Sequence, residues 1–214
     1  MKKTERKRRQ IVDAAYRLFQ RNGFDKTTMS QVTEAVGGSK ATLYNYFPSK
    51  EELFIECVTS ICDHYLLAAF AGLQDPKANL GATLLHLGRT TPRLTCTPEM
   101  VAARRMLIAE AERSGIGRLY YEKTMKYIEE LAAFLANAMD GGQLRKADPK
   151  LAAHHLRALV EAEILDRCLL DAEAMPPSSA TLSRSARNAI TLFFRIYALD
   201  PSVRLDDTVL TSSE

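Results

Sequence analysis

At 214 residues the chain is long enough to bury a core without the help of disulfides or a metal. Its four cysteines, Cys57, Cys62, Cys96 and Cys168, show neither metal-ligand nor redox-pair spacing, and charged residues interrupt every apolar stretch short of the roughly 20 residues that span a bilayer. The net charge of +3 conceals an asymmetry: residues 1–50 hold 11 Lys/Arg against 4 Asp/Glu, or +7, whereas the remainder holds 18 against 22, or −4. A basic end favours an anionic partner only modestly, because such a terminus often does no more than solvate the chain. No charged, apolar and small-residue leader pattern is visible, so the expected compartment is a reducing cytoplasm.

From Glu5 to Asn22 the apolar residues Ile11, Ala14, Ala15, Leu18 and Phe19 fall at helical spacing, and Gly23 stops the helix. Thr28 with Gln31 reads as a capping box that opens a short helix carrying Val32, Ala35 and Val36, which ends at Gly37-Gly38. Ser39 can cap the next helix, whose inward residues are Leu43 and Phe47, and Pro48 ends it. Ser49 with Glu52 is a second capping box, leading into a longer helix with Leu53, Phe54, Cys57, Val58, Ile61 and Tyr65.

Beyond this point no strand alternation or hairpin signal occurs. Breaks at Pro76, Pro92, Gly115, Gly141-Gly142 and Pro176-Pro177 predict helices near 78–90, 98–113, 116–139, 149–173 and 180–199. Thr97-Pro98 and Asp148-Pro149 each combine a cap with proline at the first helical position. The polar tail 201–214 lacks a period and is expected to be flexible.

Two short helices around a glycine turn over residues 29–47 are the pattern of a helix-turn-helix. Because only Leu43 and Phe47 are needed inside, the segment Ser39-Lys40-Ala41-Thr42-Leu43-Tyr44-Asn45-Tyr46-Phe47 offers polar and aromatic groups outward. A recognition helix enters the major groove N-terminus first, which makes Gly38, Ser39, Lys40, Thr42 and Asn45 candidates for base contact. Lys40 can donate to guanine O6 and N7, Thr42 presents a hydroxyl and a methyl, and Asn45 can serve adenine or a phosphate.

The run Ile11-Val12-Asp13-Ala14-Ala15 with Leu18-Phe19, Asn22-Gly23-Phe24, Thr27-Thr28, Ala35, residues 39–47 and Lys50-Glu51-Glu52-Leu53 resembles the DNA-binding domain of the TetR family. Over residues 107–113 the stretch Leu107-Ile108-Ala109-Glu110-Ala111-Glu112-Arg113 is similar to regulatory domains of the AcrR or AefR type. The resemblance implies that Tyr44, Tyr46 and Lys50 hold phosphates, with Thr28 doing so from the start of the preceding helix. It also implies an all-α fold, with a three-helix DNA-binding domain over 1–50 and a helical ligand-binding and dimerisation domain over 51–200. The expected partners are double-stranded operator DNA, a second copy of the chain and a small-molecule effector.

For the regulatory half, the breadth of apolar residues over 149–173 exceeds one intramolecular stripe, which points to a subunit face using Leu159, Ile164, Leu165 and Cys168. The last helix would add Phe193 and Ile196. His86, Met106, Tyr120, Tyr121, Tyr127 and Phe134 are the candidate pocket residues, although a Met and Tyr stripe is more often plain core. His154-His155 and Glu161 with Glu163 do not make a metal site, since neighbours on a helix point about 100° apart. No catalytic motif or cofactor loop is present, so neither enzymatic chemistry nor a cofactor is expected. The rival readings are a helical enzyme, a protein- or membrane-binding module that uses the basic end, and a regulator that activates or needs no ligand.

Overall fold

The computed structural model describes residues 3–70, 73, 79–112, 115–172 and 175–199, with backbone only for Lys3 and 61–69. The tail 201–214, the break at Pro76 and the side chains of Ile61, Cys62 and Tyr65 lie outside the described residues. Among those described there are ten α-helices and no strand: α1 (Lys3–Lys26), α2 (Met29–Val36), α3 (Lys40–Tyr46), α4 (Lys50–Phe70), α5 (Leu80–Thr95), α6 (Pro98–Glu110), α7 (Ile116–Asp140), α8 (Pro149–Ala162), α9 (Leu165–Leu169) and α10 (Ser179–Tyr197). None of the described helices is long and apolar enough to cross a membrane.

The chain packs as two units, one of Met1–Asp63 with Ala102–Thr124, the other of His64–Val101 with Met125–Glu214. In the first, the helical face of α1 predicted from spacing is buried, with Ile11, Ala15 and Phe19 almost without exposed surface. Gly23 breaks the α1 geometry at φ 78°, ψ 171°, and the turn brings Phe24 back onto Phe19, their rings 5.8 Å apart. Phe54 completes an aromatic cluster, edge-on to both at 5.2 and 5.1 Å. Burial of each such ring contributes about 1.5–3 kcal/mol. Leu53, Cys57 and Val58 of α4 belong to the same core, as do Leu107 and Ile116. The boundary expected at residue 50 therefore falls inside a packing unit, because α4 closes the core beneath the first three helices.

The second unit centres on α10, which packs against α5 and α8. Helix α5 approaches it at Gly88, where a side-chain Cβ would stand 3.3 Å from Ala186 Cβ. The helix break expected at Pro92 does not occur, and α5 runs on to Thr95. Proline here removes one donor near the helix end, while the turn continues through Cys96 N–H donating to Pro92 O at 2.9 Å. The predicted segment 149–173 is in fact two helices, split at Glu163-Ile164, where Ile164 leaves helical geometry at φ −121°, ψ −46°. The split turns Ile164 and Cys168 into a small core with Cys96, Val101 and Leu182.

That split corrects part of the expected subunit face. Ile164, Cys168 and Phe193 are 1%, 0% and 0% exposed within the single chain and have no surface left to offer a partner. The apolar breadth of 149–173 is absorbed by two helices facing their own core rather than by one helix facing outward. Leu159 and Leu165 are half-buried against the chain's own clusters. Ile196 is exposed, and so are Leu192, one turn before it on α10, and Leu199 beyond the helix end.

Candidate nucleic-acid interface

The two helices of the candidate motif are defined by their ends. Thr28 Oγ1 accepts from Gln31 N at 3.2 Å while Thr28 N donates to Gln31 Oε1 at 2.8 Å, the reciprocal box expected from sequence. Ser39 Oγ accepts from Thr42 N at 3.1 Å and starts α3. Gly37 and Gly38 join the helices at φ 68° and φ 137°, a region that L side chains rarely adopt, so the turn depends on glycine at both positions. Leu43 and Phe47, 3% and 2% exposed, anchor α3 from below.

Everything else on α3 faces away from the core or sits at its edge. Gly38, Ser39, Lys40, Thr42, Tyr44 and Asn45 are all exposed, with Tyr44 at 47%. These are the expected base-reading residues together with one expected phosphate ligand. An exposed tyrosine on a short helix with charged and amide neighbours is a surface without an internal partner. Ser39 Oγ and Thr42 Oγ1 lie 2.9 Å apart, so each hydroxyl is oriented by the other.

The remaining expected phosphate ligands are more constrained. Thr28 is exposed, but its hydroxyl serves the cap. Tyr46 is half-buried against the first unit's core. Lys50 is half-buried, donates to Phe24 O at 3.0 Å and rests 4.1 Å from the centre of the Phe24 ring. Its ammonium has donors to spare, yet its position is set by the α1–α2 junction.

Sequence reasoning missed three charged side chains beneath this motif. Glu56 of α4 is bound by both Arg8 of α1 and Lys123 of α7. Burial of the Glu56 carboxyl favours its protonated form, but the hydrogen bonds from Arg8 and Lys123, with their charges, outweigh this and hold it below the usual carboxylate range. Arg8 is raised in turn, chiefly by its bond to Glu56, and its guanidinium lies 4.9 Å over the Phe47 ring. A cleft of about 440 Å³ opens beside this triad, with Tyr46, Glu52 and Glu122 also on its walls. The partners are 48 and 67 residues apart in the chain, beyond the reach of any local pattern.

The candidate pocket residues of the regulatory half divide between the two units. Met106 and Tyr120 are half-buried against the first unit's core, and Tyr121 is 59% exposed. In the second unit His86 is exposed with Nε2 3.4 Å from Thr90 Oγ1, Tyr127 pairs with Phe70 at 5.7 Å between ring centres, and Phe134 packs half-buried against the core. No group of three or more His, Cys, Asp or Glu among the described residues is placed to hold a metal ion. His155 Nδ1 instead lies 2.7 Å from the Tyr197 hydroxyl. Burial pushes the Cys57 thiol up and leaves it a packed, unreactive side chain.

A capped helix pair that presents one polar and aromatic face, set on a basic first helix, defines a helix-turn-helix DNA-binding protein. Comparison with known proteins narrows this. Residues 11–57 match the model for bacterial regulatory proteins of the tetR family, and residues 82–199 match the AefR-like transcriptional repressor C-terminal domain. The HTH-type transcriptional regulator RutR of Escherichia coli K12 is 33% identical over 152 residues, 67% of either chain. Among solved structures, the flavonoid-responsive regulator FrrA is 30% identical with a TM-score of 0.70, covering 91% of this chain and 98% of its own. A TetR-family regulator from Pseudomonas syringae pv. tomato is 26% identical with a TM-score of 0.69 over the same shares. The chain belongs to the TetR family of bacterial transcriptional regulators. The regulatory resemblance read on residues 107–113 thus extends across nearly the whole second half.

Proposed function

We propose that the protein is a dimeric repressor of the cytoplasm that reads a palindromic operator with α3 of each subunit and is released by a hydrophobic or amphipathic small molecule. The observation that carries the reading is the outward face of α3, where Gly38, Ser39, Lys40, Thr42, Tyr44 and Asn45 are all exposed on a helix anchored by Leu43 and Phe47. Lys40, Thr42 and Asn45 address base edges, while Tyr44, Tyr46, Lys50 and Thr28 position the helix through phosphates.

Two recognition helices spaced about one helical turn of DNA, roughly 34 Å, require a dimer. Support for one comes from Leu192 and Ile196, one turn apart on α10 and exposed at 44% and 43%, with Leu199 after the helix exposed at 65% and Leu151 of α8 at 51%. Such apolar surface is covered at little cost by an identical copy. The effector class is supported by the apolar and aromatic character of the helices after α4, and FrrA, a relative of similar length, is described as flavonoid-responsive. Release follows if the effector binds one dimer conformation better than the other and so changes the separation of the two α3 helices.

The reading is tested by fluorescence anisotropy on the intergenic DNA upstream of the protein's own gene against scrambled DNA, both at near-physiological salt. A preference of about a thousandfold or more is expected of a sequence-specific regulator. Equal weak binding to these and to genome-wide fragments would contradict it. Light scattering that gives a monomer at micromolar concentration would overturn the dimer.

A further inference from the structure

A helix C-terminus leaves its last carbonyls without intrahelical partners and carries partial negative charge, usually answered by a basic residue in the final turn. Helix α2 has none. Its last turn is Thr33-Glu34-Ala35-Val36, followed directly by Gly37 and Gly38 in positive-φ geometry, so the chain leaves the helix without a side chain able to answer these carbonyls. The missing cation comes from 29 residues earlier. Lys7 of α1 donates from Nζ to Val36 O at 3.3 Å and to Gly37 O at 3.0 Å. Around it stand Ile11, Thr33, Ser39, Thr42 and Leu43, and Lys7 itself is half-buried over the turn.

We infer that Lys7 is a positioning residue for DNA recognition: its ammonium clamps the turn between α2 and α3 and so fixes the direction in which α3 leaves that turn. The inference rests on the proposal that α3 reads an operator. Glycines make the turn possible, but they also make it soft, since Gly37 and Gly38 have no side chain to restrict them and no Cβ at either would meet another atom within 4 Å. The ammonium supplies the restraint that the local sequence lacks. It ties the turn to α1, whose Ile11, Ala15 and Phe19 are locked in the core. With two of its three donors directed to backbone carbonyls of the turn, Lys7 acts on base reading through the placement of α3, a role distinct from that of a cation placed for the phosphate backbone.

The two roles separate in the salt dependence of binding. A duplex selected by the wild-type protein from a random-sequence library serves as the specific probe, and an unrelated duplex as the non-specific one. Lys7→Met is expected to weaken the selected duplex about tenfold, the scale of one charge-assisted hydrogen bond, while non-specific binding stays within about twofold. The slope of log affinity against log salt stays that of wild type, and Lys7→Arg recovers most of the loss. A slope shallower by about 0.9, with both duplexes weakened alike, would show Lys7 to be a phosphate contact and overturn the inference. So would Lys7→Met binding both duplexes as wild type does, or Lys7→Arg failing to recover affinity while remaining folded by circular dichroism. A wild-type protein that selects no preferred duplex would instead overturn the operator reading on which the inference stands.

Discussion

Helices α3 and α10 solve opposite problems. The seven residues of α3 bury Leu43 in the core, with Phe47 at its end, and turn nearly all the rest outward. The nineteen residues of α10 bury seven, including Ala186, Ile190, Phe193 and Tyr197, against two neighbouring helices. A helix held along its side is fixed by packing and tolerates change at its ends. A helix that keeps its side open is held by one buried residue, Leu43, and at its ends by Ser39, the glycine turn with Lys7, and Phe47. The exposed face of α3 is the surface that it does not use for its own stability.

The sharpest way to break this contrast is to truncate one aromatic on each helix. Phe193→Ala should cost about 3–5 kcal/mol in urea unfolding, the scale of a fully buried aromatic. Tyr44→Ala should change stability by no more than about 0.5 kcal/mol while weakening DNA binding across sequences. A large stability loss in Tyr44→Ala would mean that α3 is scaffold after all. Ser39→Ala is expected to lie between, at about 1 kcal/mol of stability, because it removes the cap that starts α3. Unchanged unfolding in that variant would show that α3 is not held by its N-terminal end.

The smallest expected effect concerns the charge triad under the motif. Glu56 has a folded-state value below its unfolded one, so it adds stability that is complete above the ordinary glutamate value of about 4.3 and is lost as pH falls through the lower folded value. Glu56→Gln should therefore be less stable than wild type at pH 7, with the gap narrowing as acid protonates wild-type Glu56. Parallel urea midpoints at neutral and acid pH measure this. A gap that does not narrow would mean that the triad's charges contribute nothing and that Glu56 serves only through packing.

The same contrast explains what was legible in the sequence. The caps at Thr28, Ser39 and Asp148 act within three residues of themselves, and each is found where expected. The outward face of α3 was legible for the same reason, since Leu43 and Phe47 alone fit an inward stripe. Pro92 misled because a proline in the last turn of a helix interrupts less than one in its middle. The break at Ile164 carries neither glycine nor proline, and only the buried cluster with Cys96 and Leu182 accounts for it. Lys7 and Arg8 read as members of a basic arm, whereas their partners lie 29 to 48 residues away. Local chemistry marked α3 and its caps, whereas the contacts of Lys7 and Arg8 exist only in the folded chain.

The most direct test of the account is to repeat the random-library selection with Lys40→Ala beside wild type. Lys40 is exposed in the first turn of α3. The account predicts that preference is lost at one base pair in each half-site, at a cost of about 1–3 kcal/mol, with the rest of the selected sequence unchanged. Uniform weakening on every sequence, or an unchanged selection, would contradict the claim that this face of α3 reads the operator.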